Sequence, residues 1–343
     1  MKNKEFSVDI ELLKSIKGQE LNYKQLCEAL NLPIKTSNSK TSQLQSLQSY
    51  CDIFIRQKPT KYIITEVYEG ALPIIEELNQ NNKFQLLFDA ALYQLFILNK
   101  CQPIYASSID LLKLFKEVNS NFSYACNSSH MRAMGEEYLY MADMSQIVFR
   151  ILSQWTNRRI KQMAQRKIVT VADGFRLYRI AHINDSKGDL IYSYKEGVNV
   201  PFNSELHHQC QTLYSMAIEK VLGPDRGKDI GWLSMGQWQL LKFEINKLVR
   251  EKFNDTYCGL KAVKILCPPE EDWLRAKLIQ TYQQLDVPAF EKINQEATRK
   301  ILETKQLASY SIEEKNRYIN LNVNPNPDFK FKDKLFQKEK REG

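Results

Sequence analysis

The sequence predicts a mainly α-helical protein with small β-hairpins: a winged helix-turn-helix at the N-terminus, a second winged-helix-like unit in the middle, and a helical C-terminal domain. Three observations carry this expectation. Apolar residues recur every three or four positions over most of the 343 residues, the period of an amphipathic helix. Most of the short β-rich runs stand behind helical stretches and are split by turn residues. Positive charge gathers into two blocks, one at each helix-then-hairpin passage. The expected segments are 1–70 (winged helix), 71–185 (helical, ending in a basic helix and hairpin), 186–203 (connector), 204–320 (helical) and 321–343 (a mobile charged tail).

In VDIELLKSI, from Val8, apolar residues fall at helical spacing and Gly18 ends the run. NYKQLCEAL places Tyr23, Leu26, Cys27 and Leu30 on one side of a second helix. Pro33 blocks its continuation. Ser39 is the expected cap of a third helix, from about Lys40 to Cys51. DIFIRQ and KYIITEVY read as strands joined at Lys58-Pro59-Thr60. Helix, helix, turn, helix, hairpin is the order of a winged helix.

Further along, LPIIEELNQNNKFQLLFDAALYQLFILNK and SSIDLLKLFKEV are helical. MRAMGEEYLYMADMSQIVFRILSQWTNRRIKQMAQRK holds one or two helices. KIVTVADGFRLYRIAHI then reads as strand, turn at Asp173-Gly174, strand. The order of helix, basic stretch and hairpin thus comes round again; a helix and hairpin packed only as core is the alternative. NDSKGDLIYSYKEGVNVPFN is polar and turn-rich. From Ser204 four helical stretches follow, with GLKAVKILC as a candidate strand among them. Asn-Pro repeats and dense charge close the chain.

The net charge of +8 is unevenly spread. Between Lys14 and Tyr62 eight cations face three acids, and between Thr156 and Arg179 seven face one. Such blocks suit a protein that meets a polyanion at defined places. At 100° per residue, Leu44, Leu47 and Cys51 share the core side of the third helix. Ser42, Gln45, Ser46 and Ser49 lie roughly opposite, with Thr41 at the margin and Lys40 at the start. A helix entering the major groove needs such a small, polar surface. Gln45 could offer an amide pair to an adenine edge, and Thr41 and Ser42 could take base edges or phosphates. Arg56, Lys58 and Lys61 crowd the hairpin turn, where they could neutralise phosphates. In the second block, Arg158, Arg159, Lys161, Arg166 and Lys167 are candidates for further phosphate contacts. Positive charge at a helix C-terminus also suits the helix dipole, and a Ser/Gln face can be merely solvated.

YKQLCEALN, SNSKTSQLQSL and TKYIITEVYEGAL together resemble the N-terminal winged-helix region of uncharacterised phage, plasmid and other mobile-element proteins of Gram-positive bacteria. The pattern there is a YKELC helix, an NSK…QL helix and a KYIIxEIY strand. The passage Ile147 to Ile180 resembles a later region of that group. After SNSK this chain has TSQLQSLQSY where the group carries basic and aromatic residues. The resemblance implies a DNA-associated or regulatory role.

Catalytic patterns are weak. GPDRGKD, Gly223 to Asp229, has three residues between its glycines and Asp229 where a phosphate loop needs Ser or Thr. Asp225, Glu244 and Lys247 do not have the placement of a metal nuclease, because the last two share a helix. Adjacent His207 and His208 diverge on a helix and cannot chelate one ion. Seven cysteines without a Cys-x-x-Cys read as reduced thiols of a cytoplasmic protein, and neither a signal peptide nor a membrane span is expected. The expectation is therefore a non-enzymatic, cofactor-free protein that binds double-stranded DNA in transcriptional regulation or replication. The alternatives are a protein-interaction module, such as an inhibitor of a host defence system built on a repurposed winged helix, and a nuclease.

Overall fold

Helical periodicity dominates the chain, and the computed structural model is accordingly mainly helical, with two small antiparallel sheets. It describes residues 7–72, 83–184, 190–223, 235–284, 288–327 and 330. In chain order the elements are α1 (Ile10–Ser15), α2 (Tyr23–Ala29), α3 (Ser37–Gln48), β1 (Cys51–Arg56), β2 (Lys61–Val67), α4 (Lys83–Leu98), β3 (Ile104–Ala106), α5 (Ser108–Leu114), α6 (Phe122–Ala125), α7 (Ser128–Met134), α8 (Leu139–Gln165), β4 (Thr170–Asn184), β5 (Leu190–Asn199), α9 (Glu205–Leu222), α10 (Met235–Lys252), β6 (Gly259–Cys267), α11 (Asp272–Gln283), α12 (Ala289–Glu303) and α13 (Ile312–Asn322). They form two compact units, each assembled from separated stretches. The first comprises Met1–Ile97, Arg159–Val169 and Pro268–Ala289; the second comprises Leu98–Arg158, Thr170–Cys267 and Phe290–Gly343.

In the first unit the Asp9 carboxylate caps α1 by accepting the Glu11 N–H at 2.9 Å. Gly18 ends that stretch at φ +80°, a conformation that costs other residues a Cβ clash, and its N–H reaches the Ile64 carbonyl at 2.9 Å. Asn22 and Gln25 close a capping box on α2. Helix α3 begins at Ser37 behind Thr36, so Ser39 lies inside its first turn and is not the cap. The helix stops at Gln48, and Cys51 opens β1. The apolar sides of these helices meet the inner face of the hairpin in a core of Leu13, Leu26, Leu30, Leu47, Tyr62 and Ile64. Strands β1 and β2 pair antiparallel from Cys51↔Val67 to Arg56↔Lys61, with one irregularity between Asp52 and Ile53.

The same unit includes α4, apolar nearly all round and buried from Leu86 to Tyr93. Tyr93 stacks on Tyr282 at 4.9 Å and donates its hydroxyl to the Ile168 carbonyl at 2.8 Å. Asp89, fully buried beside it, accepts from Arg166 at 2.7 and 2.8 Å, from Gln85 at 2.9 Å and from Tyr282 at 3.2 Å.

The second unit is built on a four-stranded antiparallel sheet in the order β3-β6-β4-β5. Here the expected turn at Asp173-Gly174 is corrected: both residues lie inside β4, one continuous strand of 15 residues. Gly174 is there because the Ile265 side chain fills the space a Cβ would occupy, 2.5 Å away. Asp173 pairs across the ladder with Lys264 at 3.1 Å. The candidate strand GLKAVKILC is β6, and β5 falls within 186–203. Phe175, Leu177 and Leu260 pack against Cys210, Leu213 and Ala217 of α9 and Leu241, Ile245 and Val249 of α10. Asn119 holds the end of α13 through the carbonyls of Leu321 at 2.9 Å and Asn324 at 2.7 Å. Most of the expected charged tail, 331–343, and most of the GPDRGKD stretch, including Asp225, lie outside the described residues.

Candidate nucleic-acid interface

Helix α3 is fixed from below. Tyr23 of α2 donates its hydroxyl to the buried Gln43 amide oxygen at 3.0 Å and accepts the Lys35 N–H at 3.2 Å. With Leu47 buried as well, the rotation of α3 about its axis is set. That rotation leaves Asn38, Thr41, Ser42, Gln45 and Gln48 exposed, all uncharged and polar. Ser46 and Ser49 are half-buried, and their hydroxyls donate to the carbonyls of Ser42 at 3.0 Å and Ser46 at 2.7 Å. Lys40 leaves the face altogether: its ammonium sits 4.4 Å from the Tyr23 ring centre and 5.6 Å from that of Tyr62. A cation–π pair holds it against the unit instead of offering it to a phosphate. Asn38 joins the face because α3 starts earlier than Ser39 indicated, which brings it into helical register, and Gln48 joins it as an exposed residue of the last turn.

The hairpin turn presents Arg56, Lys58 and Lys61 together. Lys58 and Lys61 have no acidic partner among the described residues. Arg56 pairs with Glu20 at 3.1 Å, both side chains about half exposed. A pair so exposed contributes about 0.2–1 kcal/mol, so Arg56 can exchange Glu20 for another anion at little cost. At the base of the hairpin the charge is reversed. Asp52 and Glu66 oppose each other on β1 and β2, and Lys277 reaches them at 3.3 and 2.9 Å. Burial disfavours the Asp52 carboxylate's charge, but hydrogen bonds with Tyr68 and Glu66 and the nearby Lys277 ammonium hold it below the usual carboxylate range. Between the two ends Phe54 is 57 % exposed, a large apolar surface that a count of charges passes over.

The second basic block divides. Arg158, Lys161 and Lys167 are exposed, the first two one turn apart on α8. Arg159 is half-buried and donates to the Gln162 amide oxygen at 3.2 Å, while its carbonyl accepts from Gln85 at 3.3 Å. Arg166 is committed to buried Asp89 in the first unit. Of the two other cations of this window, Arg176 binds Asp110 at 3.1 Å, Asn199 at 2.8 Å and the Tyr105 carbonyl at 2.9 Å, and Arg179 binds Glu196 at 2.6 Å. Each acid that holds these arginines lies outside the window in sequence, so counting charge along the chain overstates the free charge of this block.

The catalytic candidates have structural roles. Glu244 accepts from Lys220 at 2.5 Å, tying α10 to α9. His207 is buried against Phe175 and contacts the Asp173 carbonyl at 3.2 Å, and His208 contacts the Ser204 carbonyl. No group of three or more His, Cys, Asp or Glu side chains placed to hold a metal ion occurs among the described residues. All seven cysteines are free thiols, and burial pushes Cys51 up to about 12, which makes it inert at neutral pH. Among the described residues no helix is long and apolar enough to cross a membrane.

The class defined by these features is a mainly helical protein with small antiparallel sheets. Compared with known proteins, the chain matches no family model, no curated protein and no solved structure.

Proposed function

We propose that α1 to β2, within the expected segment 1–70 of the first unit, are a winged helix that binds duplex DNA, with α3 in the major groove and the β1–β2 turn on the adjacent backbone. One observation carries the reading: a rigidly seated helix exposes only small polar side chains beside a hairpin turn with two lysines that have no acidic partner among the described residues. The groove-facing residues are Thr41, Ser42 and Gln45, flanked by Asn38 and Gln48, while Lys58 and Lys61 take phosphates. Ser46 and Ser49 sit at the edge, and Lys40 has a structural part. Arg158, Lys161 and Lys167 add non-specific attraction. Nothing in this arrangement requires a metal or a cofactor, and the biological role in view is transcriptional control or replication of a phage or other mobile element.

Selection from a random duplex pool tests the reading. Wild type should enrich a defined motif, and Gln45→Ala should relax one position of it by about 1–3 kcal/mol of discrimination while leaving overall affinity in place. A pool that stays random after selection with wild type would remove α3 as a reader of sequence.

A further inference from the structure

We propose that β1 is a self-association edge: two copies of the chain pair their β1 strands antiparallel about a two-fold axis at Phe54, joining two hairpins into one four-stranded sheet. The first sheet has two strands. The far side of β2 is closed by Leu21, which exchanges backbone hydrogen bonds with Tyr62 at 3.1 and 2.8 Å. On the other side, no backbone hydrogen bond from residues 52–56 leaves the β1–β2 ladder among the described residues. Open edges are usually protected by lysine, proline or a covering segment. This one instead reads Asp-Ile-Phe-Ile-Arg, with Phe54 57 % and Ile55 40 % exposed. A shallow groove of about 500 Å³ runs beside it, lined by Gln48, Cys51, Asp52, Ile53, Phe54 and Thr65.

The charge pattern selects the occupant. Asp52 and Arg56 stand two residues either side of Phe54 and share its face of the strand. An antiparallel pair centred on Phe54 therefore sets Asp52 against Arg56 of the second copy, twice, with Phe54 against Phe54 and Ile53 against Ile55. The ends of the hairpin agree: three cations and Glu20 at the turn, two acids and Lys277 at the base. Parallel pairing would set like charges together, and a shift by one residue would turn Phe54 to the wrong face. A strand from an unrelated protein has no reason to carry this palindromic pattern; a second copy carries it by construction.

Analytical ultracentrifugation of the full chain without DNA tests the proposal separately from the DNA reading. Wild type should sediment as a dimer, and Phe54→Lys as a monomer with unchanged far-UV circular dichroism. Asp52→Arg and Arg56→Asp should each lose the dimer alone. Mixed together they should regain it as a heterodimer, because the arginine introduced in one chain then faces the aspartate introduced in the other, while native Arg56 faces native Asp52. Phe54 is 57 % exposed and is not among the residues of its unit's hydrophobic core, so that variant decides the matter even if Asp52→Arg, which loses Tyr68 and Lys277, unfolds. A monomeric wild type, or a dimer that survives Phe54→Lys, overturns the proposal, as does a mixture of two folded charge variants that stays monomeric.

Discussion

Thr156 has one hydroxyl proton and two oxygens within reach. It lies 2.9 Å from the Leu152 carbonyl, which can only accept, and it also touches Oε1 of Glu117. If the proton goes to the carbonyl, the second contact needs a proton from Glu117, so the carboxyl is neutral. Full burial pushes Glu117 well above the usual range in the same direction, against the Thr156 hydrogen bond and the Lys300 ammonium. The sign of the linkage follows. A carboxyl raised in the folded state contributes stability that is complete below its unfolded value, about 4.3, and is lost as pH rises from there towards the folded value. Glu117→Gln keeps a donor to Thr156 and cannot ionise. Its denaturant-unfolding free energy should match wild type near pH 4 and exceed it at pH 7. A variant less stable than wild type at pH 7 would mean that Glu117 is charged. Burial pushes Asp89 up as well, but it accepts four hydrogen bonds, two of them from the Arg166 guanidinium, which work against that and favour its charged form. Arg166→Met should cost about 3–5 kcal/mol in urea unfolding, because it strands a buried charge. A loss near zero would free Arg166 for a role on the surface.

At the level of elements, local chemistry was legible where it is carried by neighbours in sequence. The first three helices, the β1–β2 hairpin and its turn at Lys58-Pro59-Thr60 follow from apolar spacing, Gly18 and Pro33, and the polar face of α3 follows from the same periodicity. The start of α3 carries no sharp signal, because Thr36 makes no side-chain capping bond, and Ser39, a residue type suited to capping, lies inside the first turn. Asp173-Gly174 reads as a turn in sequence, but it is a strand because Ile265 and Lys264, some 90 residues on, decide its environment. Gly174→Ala should therefore behave as overpacking and cost about 1–3 kcal/mol, and Ile265→Val in the same chain should recover part of it in thermal unfolding. A variant as stable as wild type would restore the turn residue's ordinary role. The candidate site divided by the same rule. The exposure of Gln45 and Lys58 is local and readable, whereas the engagement of Lys40, Arg166, Arg176 and Arg179 depends on rings and acids distant in the chain.

For the molecule as a whole, the excess of eight positive charges is less free than it looks. Arginines in both units are held by acids, among them Arg56, Arg166, Arg176 and Arg179, whereas Lys58 and Lys61 at the β1–β2 turn and Arg158 and Lys161 on α8 have no acidic partner among the described residues. Counterion release ties affinity for DNA to the free cations that neutralise phosphates. The most direct measurement is fluorescence anisotropy of a labelled duplex titrated with the full chain across a salt series, comparing wild type with Lys58→Ala/Lys61→Ala. Wild-type affinity should fall steeply with salt, and the slope of log affinity against log salt should become shallower by about one for each lysine removed per chain. Equal affinity and equal slope for the two proteins would contradict the placing of DNA on the hairpin turn.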